Sequence, residues 1–354
     1  MKKILILVND ATTLLQFRCE LVRALTLAGH EVVVSVPHCD RLGEIEALGA
    51  EVVPTEVARH GKNPLADIAL VFRYKRLIKK LKPDVVLSYT VKPNVYGGMA
   101  CAALKVKQIA NVTGLGVVGG GGLMQKLTLW LYKKGLKKTH KVFFQNSANL
   151  EFFRERGIVK DNAVLLPGSG VNLEKFEKTA YPSDKVVNLL FVGRIIPDKG
   201  VNELAQVARA LEEDGGVRFT VLGSREFGSA NPFEGCTNVA VLDYDKNVKP
   251  YYEKAHAVVL PSYHEGMANV LLEASSVGRP ILASDIPGCR EAVEEGKTGF
   301  LFEPRSAEDL MRAVKRFLAL TGGERKAMGD SARERMENIF DRKIVISKYF
   351  DEIE

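Results

Sequence analysis

Short, unbroken apolar runs alternate along the chain with longer stretches in which apolar residues recur every three or four positions. "ILILV" near the amino terminus is such a run. It is followed by "LLQFRCELVRALTLAG", where Leu14, Phe17, Leu21, Ala24, Leu25 and Ala28 keep helical spacing and Gly29 stops the helix. "EVVVSV" then reads as a strand, "DIALVFRYKRLIKKLK" as a helix, "DVVLSY" as a strand and "YGGMACAALK" as a small-residue helix. The strands are continuous apolar runs without polar alternation, which predicts a parallel sheet covered on both faces. The pattern restarts at "VVNLLFVG" (186–193) and runs through "NELAQVARALEED", "RFTVLG", "AHAVVLPS", "VLLEASSVG" and "PILAS". Between the two series, "GSGVNLEKFEKTAYPSDK" is rich in Gly, Pro and Lys and reads as a linker.

The expected fold class is therefore α/β, with two doubly wound Rossmann-like domains facing across a cleft. The expected boundaries are 1–168 and 186–339, with a carboxyl-terminal helix near 340–354 packing back on the first domain. A length of 354 residues agrees, being too great for one comfortable core. Five scattered cysteines without a CxxC pair argue against a disulfide frame or a zinc site and fit a reducing compartment. The apolar run in "MKKILILVND" is too short for a signal-peptide core, and no stretch approaches the ~18 apolar residues of a membrane span.

Residues 1–178 hold 27 Lys and Arg against 15 Asp and Glu, and no acid occurs between Asp84 and Glu151. One half is built to lie near something anionic. "LMQKLTLWLYKKGLKKTHK" (123–141) sets Trp130 among leucines with Lys133, Lys134, Lys137 and Lys138 close behind. It is expected to be an interfacial helix on anionic lipid, the alternative being a core helix with a solvated lysine face. "RYKRLIKKLK" adds to the same face. No nucleic-acid module is recognisable, so nucleic acid is not an expected partner.

Two stretches of the second half carry candidate chemistry. In "FVGRIIPDKG", Arg194 leaves a strand and Lys199 precedes a helix, so two cations and a helix amino terminus can meet one diphosphate. In "LPSYHEGMANVLLEA", Glu265 falls at the mouth of a helix and Gly266 admits a ligand to the backbone. The N–H groups of Met267, Ala268 and Asn269 make up its unsatisfied first turn. Glu273 lies eight residues on, about 12 Å along a helix and about 80° round it. That separation argues against a paired acid and base on one bond, and for two grips on one long ligand. One carboxylate would take hydroxyls at the reacting end, the other a ribose diol, with phosphate between. A nucleotide sugar has that layout.

These stretches, continued by "ASSVGRPILASDIPGCREAVEEGKTGFLFEP", resemble the retaining GT-B glycosyltransferases of family 4, and the two glutamates match that family's E-x7-E motif. The resemblance implies that Arg194 and Lys199 hold the donor diphosphate, Glu265 contacts the donor sugar and Glu273 the ribose. Glu265, Arg194 and Lys199 are then the catalytic group, and Gly266, Met267, Ala268 and Asn269 complete donor binding. Ala268 stands where many members carry Pro or Ser. "SYTVKPNVYGGMA", "NVTGLG", "FFQNSANLEFF" and "LPGSGVNLEKF" are similar to bacterial enzymes that build lipid-linked oligosaccharides, including N-acetylgalactosaminyltransferases of bacterial N-glycosylation. This implies transfer from a UDP-sugar to an undecaprenyl-diphosphate-linked acceptor, on the cytoplasmic face of the bacterial inner membrane. The loops with Asn9 and Thr13, and with Thr90, Lys92 and Asn94, are expected to hold that acceptor. Some relatives place a His where this chain has "TVKPN", and Thr90 or Lys92 is the substitute candidate.

Other motifs weigh less. "TGLGVVGGGG" contains GxGxxG at Gly114, Gly116 and Gly119, but the next acid, Glu151, is too distant to hold a dinucleotide ribose. A loop facing the cleft is the expectation there. Asp243 and Asp245 of "DYD" resemble a metal-binding DxD, but a turn after a strand is expected, since Arg194 and Lys199 can neutralise a diphosphate without metal. The six histidines show no ligand spacing, so neither a metal nor a cofactor beyond the co-substrate is expected. A sugar-nucleotide epimerase of the same fold, and a non-catalytic membrane-bound nucleotide-sugar sensor, are the rival functions.

Overall fold

The computed structural model describes residues 1–57, 64–114, 122–226, 228 and 230–354. The chain divides into two compact units. One comprises Met1–Ser169 with Ile346–Glu354, the other Gly170–Val345.

The first unit is built on a seven-stranded parallel sheet. In chain order its strands are β1 (Lys3–Leu7), β2 (Glu31–Val36), β3 (Glu51–Pro54), β4 (Val85–Tyr89), β5 (Lys107–Val112), β6 (Lys141–Phe144) and β7 (Ala163–Leu165). They lie in the order β3-β2-β1-β4-β5-β6-β7. Ile4, Leu5, Val33, Val86, Ala110 and Val142 are buried, as a sheet with both faces covered requires. The order reverses between β1 and β4, paired in register from Ile4↔Val85 to Leu7↔Ser88. In open parallel sheets that reversal is where ligands bind, beyond the carboxyl ends of the strands.

The second unit repeats the plan with six strands: β8 (Val187–Val192), β9 (Val217–Leu222), β10 (Val239–Leu242), β11 (Ala257–Leu260), β12 (Ile281–Ser284) and β13 (Gly299–Phe302). Their order is β10-β9-β8-β11-β12-β13, all parallel, so the reversal falls between β8 and β11. Those are the strands that "GRIIPDKG" and "YHEGMANVLLEA" follow.

Three details depart from the expected pattern. The stretch read as a linker is packed into the second unit, where Val171 and Phe176 are buried. There the fully buried Arg279 donates to the carbonyls of Ala180, Tyr252 and Glu253 and to the Thr179 hydroxyl. The planar guanidinium brings five N–H donors to these acceptors, against the three of an ammonium. The helix expected over 123–141 ends earlier, spanning Gly122–Gly135. Gly135 lies against the Val95 backbone, where a Cβ would come within 2.6 Å of the Val95 Cα, and Lys137 and Lys138 follow in an exposed turn. Finally, in "YGGMACAALK" Tyr96 and Gly97 close a wide turn, Pro93–Gly97, and the helix runs only over Gly98–Leu104. Gly116 and Gly119 of the glycine-rich motif lie outside the described residues.

The last helix, Arg342–Ile353, gives its residues from Ile346 onward to the first unit. Tyr349 anchors it there, edge-on to Phe143 at 4.9 Å and accepting from Asn111 Nδ2 at 2.8 Å.

Candidate functional site

Beyond β8 and β11, glycines let three loops crowd together. Gly193 follows β8, and Gly223, after β9, lies against its carbonyl so closely that no Cβ would fit. Arg194 follows, exposed and without an ion pair among the described residues. The chain then makes a single turn, Pro197–Lys199, closed by Gly200 at φ +68°. Gly200 packs against the Pro261 carbonyl at the end of β11, which any side chain would block. The Asp198 carbonyl accepts from the Tyr263 N–H at 2.9 Å, and the Tyr263 hydroxyl donates to Glu203 at 2.6 Å. The Lys199 loop and the Glu265 loop are thus fastened together by backbone and side chain.

The outcome is an ion pair. Lys199 Nζ lies 2.5 Å from Glu265 Oε1, with side chains only 21% and 13% exposed, so the pair sits largely out of water. The sequence motif assigned these residues to different parts of a ligand. Here each is the other's partner.

Glu265 is held from the far side as well. Gly288, at φ +87°, approaches the Glu265 and Gly266 carbonyls, where a Cβ would come within 2.8 Å and 2.9 Å. Its own carbonyl accepts the Ala268 N–H at 2.9 Å. That corrects one expectation: the Ala268 N–H, foreseen as a ligand donor, is occupied. The helix Asn269–Ser276 that follows has no side-chain cap, and among the described residues the N–H groups of Met267 and Asn269 have no backbone acceptor. Met267 and Ala268 themselves are buried, and Asn269 Oδ1 is buried without a partner. Orphan N–H groups at a helix start suit an anion.

Glu273 lies on that helix, partly buried, and accepts from the Tyr252 hydroxyl at 2.9 Å. Burial pushes its carboxyl above the usual range, opposed by the Tyr252 hydrogen bond and by the charges of Lys175 and Arg342. Tyr252 donates to one carboxylate oxygen, Oε2. Cys289 is fully buried, and burial and then the Glu265 charge raise its thiol, so it packs as an apolar side chain. The sequence reading missed Tyr252, Tyr263 and Gly288. None belongs to a periodic pattern, and only the "PG" before Cys289 hints at a turn. Asp243 and Asp245 do follow a strand, and Asp245 accepts from Asn247 N at 2.8 Å and Tyr251 Oη at 3.1 Å. Among the described residues no group of three or more His, Cys, Asp or Glu is arranged to hold a metal ion.

In the first unit, the residues expected to hold an acceptor separate. Asn9 and Thr90 lie in the loops after β1 and β4, at the reversal. Thr90 takes φ +70°, uncommon for a β-branched residue, and its hydroxyl oxygen is buried without a partner. Thr13 instead gives both its N–H and its hydroxyl to Asp10, at 3.0 Å and 2.6 Å. Lys92 pairs with Asp67 at 2.8 Å, and Asp67 also accepts from the Tyr96 hydroxyl. Asn94 does not serve as a surface ligand: it is fully buried, accepting from Ser88 Oγ and donating to the Asn111 carbonyl, both at 2.8 Å. A buried amide must be satisfied internally, and this one is.

On the Gly122–Gly135 helix, Trp130 is 54% exposed, far more than a core tryptophan, with Lys134 Nζ 5.7 Å from its ring centroid. Leu127, one turn before it, is exposed too, as are Lys133, Lys137 and Lys138. On the helix Pro64–Leu81, Leu65, Ile68 and Phe72 are likewise exposed. No described helix is long and apolar enough to cross a membrane.

Comparison with known proteins bears on the chain's kinship. Residues 172–335 match the family described as glycosyl transferases group 1, and residues 3–146 match the glycosyl transferase 4-like family. The chain is 27% identical to the N,N'-diacetylbacillosaminyl-diphospho-undecaprenol alpha-1,3-N-acetylgalactosaminyltransferase of Campylobacter jejuni, over 96% of this chain and 95% of that protein. It is 27% identical to the capsular polysaccharide biosynthesis glycosyltransferase CapM of Staphylococcus aureus, over 79% and 80%. Among solved structures, a glycosyltransferase from Rickettsia africae superposes with a TM-score of 0.82 at 17% identity, over 99% of this chain and 97% of the other. Anabaena HepE, crystallised with UDP and glucose, gives 0.79 at 17%, over 99% of both. At such identities the structures speak for the fold, which they share end to end. Residues 172–335 thus carry a glycosyl transferases group 1 domain and residues 3–146 a glycosyl transferase 4-like domain, which with the shared fold make the chain a two-domain glycosyltransferase of group 1 and family 4-like type.

Proposed function

We propose that this glycosyltransferase moves a sugar, an N-acetylhexosamine or a hexose, from a UDP-sugar to an undecaprenyl-diphosphate-linked acceptor, with retention of configuration and without a metal. The observation that carries the donor half is the meeting of Lys199, Glu265 and an uncapped helix start at the reversal between β8 and β11. In this reading Lys199, Arg194 and the free N–H groups of Met267 and Asn269 neutralise the leaving diphosphate. Stabilising that charge is the main catalytic contribution. Glu265 positions the donor sugar and Glu273 accepts from the ribose diol. The acceptor hydroxyl attacks from the face the leaving group departs, and a donor phosphate oxygen takes its proton. The activity that gives the Campylobacter jejuni relative its name, and the UDP in Anabaena HepE, support these ligand classes.

Asn9, Thr13, Thr90 and Lys92 of the first unit are the acceptor-side candidates that remain. The exposed Leu127 and Trp130 with their lysines, and the exposed stripe Leu65, Ile68 and Phe72, support docking of the first unit on an anionic membrane surface. Such a chain would work as a peripheral enzyme on the cytoplasmic face of the bacterial inner membrane.

The test is calorimetric titration of UDP, with chelator present, into wild type and Arg194→Ala. Metal-free binding that the substitution weakens is expected. Wild type that binds GDP or ADP but not UDP would overturn the donor assignment.

A further inference from the structure

We infer that the buried guanidinium of Arg18, with the hydroxyl of Tyr89, forms a subsite in the first unit for one phosphate of a diphosphate-linked acceptor. The inference rests on the acceptor class proposed above and adds the residues that would read its anion.

Arg18 joins the helices Ala11–Phe17 and Cys19–Leu27, which follow β1 at the reversal of the first sheet. It is only 4% exposed. Among the described residues no carboxylate pairs with it. NH1 donates to the carbonyl of its own neighbour Phe17 at 2.9 Å. With the Gln145 amide turned so that its oxygen faces the guanidinium, NH2 donates there at 3.0 Å. The Nε–H has no acceptor. The charge rests over the Tyr89 ring, with Cζ 5.0 Å from the centroid. A guanidinium does not shed its proton to escape burial, and a buried charge left uncompensated costs several kcal/mol. The aromatic face offsets only part of that cost.

The neighbours are also donors in want of an acceptor. Tyr89 ends β4, is 3% exposed, and its hydroxyl lies near Tyr349 and Arg18 without a well-formed hydrogen bond to either. Burial, then the nearby Tyr349, hold its phenol well above the usual range, with Arg18 opposing, so it stays protonated. Thr90, next along the chain, leaves its hydroxyl unpaired as well. A buried cation beside unpaired hydroxyls at the carboxyl ends of β1 and β4 calls for an anionic, acceptor-rich ligand. A phosphate of the acceptor diphosphate has both properties; a sugar carboxylate shares the chemistry.

The experiment titrates farnesyl diphosphate into wild type, Arg18→Met and Tyr89→Phe with saturating UDP present, so that the second unit's diphosphate site is filled. Inorganic pyrophosphate and glucuronate are run in parallel. Arg18→Met is expected to weaken farnesyl diphosphate about tenfold or more, and Tyr89→Phe about threefold, the effect of one hydrogen bond, with UDP affinity unchanged. Arg18→Met should also melt no lower than wild type without ligand, because it removes an uncompensated charge. Arg18-dependent binding of pyrophosphate alone would still assign the site to the diphosphate group. Farnesyl diphosphate affinity within twofold of wild type in Arg18→Met, or Arg18-dependent binding of glucuronate only, overturns the subsite. If Arg18→Met does not fold, Tyr89→Phe decides, and an unchanged affinity overturns it. Wild type that binds UDP but no diphosphate lipid would instead sink the acceptor class.

Discussion

The Lys199–Glu265 ion pair makes a sharp prediction, because the two residues are asked to serve different parts of the donor. Lys199 is engaged, at 2.5 Å, by a carboxylate largely shielded from water. A diphosphate must share or displace that carboxylate. Charge-assisted hydrogen bonds contribute roughly 1.5–3 kcal/mol, and partial exposure places this one at the low end. Glu265→Gln removes the competitor while keeping the shape. UDP without its sugar should then bind at least as tightly as in wild type, with a gain of up to about 1 kcal/mol, or roughly fivefold. Lys199→Ala should do the opposite, weakening UDP roughly ten- to a hundredfold through loss of one cation on the diphosphate. Sugar transfer should fall by orders of magnitude in both. Calorimetry with UDP and a coupled assay of UDP release give the two readouts on the same samples. If Glu265→Gln loses as much UDP affinity as Lys199→Ala, Glu265 binds the nucleotide, and its assignment to the sugar is wrong.

Three further outcomes are expected. Glu273 accepts both hydroxyls of a ribose diol only when ionised, and burial raises its carboxyl. UDP affinity should therefore begin to fall, as pH drops, above the ordinary carboxyl range. Glu273→Gln should bind UDP about tenfold more weakly and lose that pH dependence; a pH profile identical to wild type would refute the role. His256 is buried, its Nδ1 accepts the Asn188 N–H at 3.0 Å, and burial lowers its pKa. Its contribution is thus present above the ordinary imidazole value of roughly 6.5 and is lost as pH falls through the lowered one. Melting temperature followed from pH 7.5 to 5 should drop more steeply in wild type than in His256→Gln, and parallel curves would remove His256 from the account. Replacing Lys133, Lys134, Lys137 and Lys138 with Glu should abolish sedimentation with anionic liposomes, and unchanged sedimentation would take this face off the membrane.

The α/β class and the two parallel sheets were legible because covered parallel strands must be apolar throughout, as "ILILV", "VVNLLFVG" and "PILAS" are. The short strands Glu51–Pro54 and Ala163–Leu165 were not. Edge strands of three or four residues carry too few apolar side chains to leave a pattern. The residue types for a diphosphate site were equally visible, because a strand end, a glycine and a helix start occur together in sequence.

The amino-acid order by itself determined the local and the periodic: which segments bury a face, where glycines break them, and which charges fall at strand ends. The tertiary structure decided partners. Lys199 meets Glu265 across 66 positions, and Gly288 reaches back to close on Glu265 and Ala268. Asn94, polar and beside a loop, goes fully into the core because Ser88 and Asn111 on β4 and β5 satisfy it there. The Gly122–Gly135 helix stops where its glycine meets the Val95 backbone rather than where its apolar pattern fades. Each of these pairings depends on crossovers that bring distant strand ends side by side, and no periodicity within one segment records which ends those are.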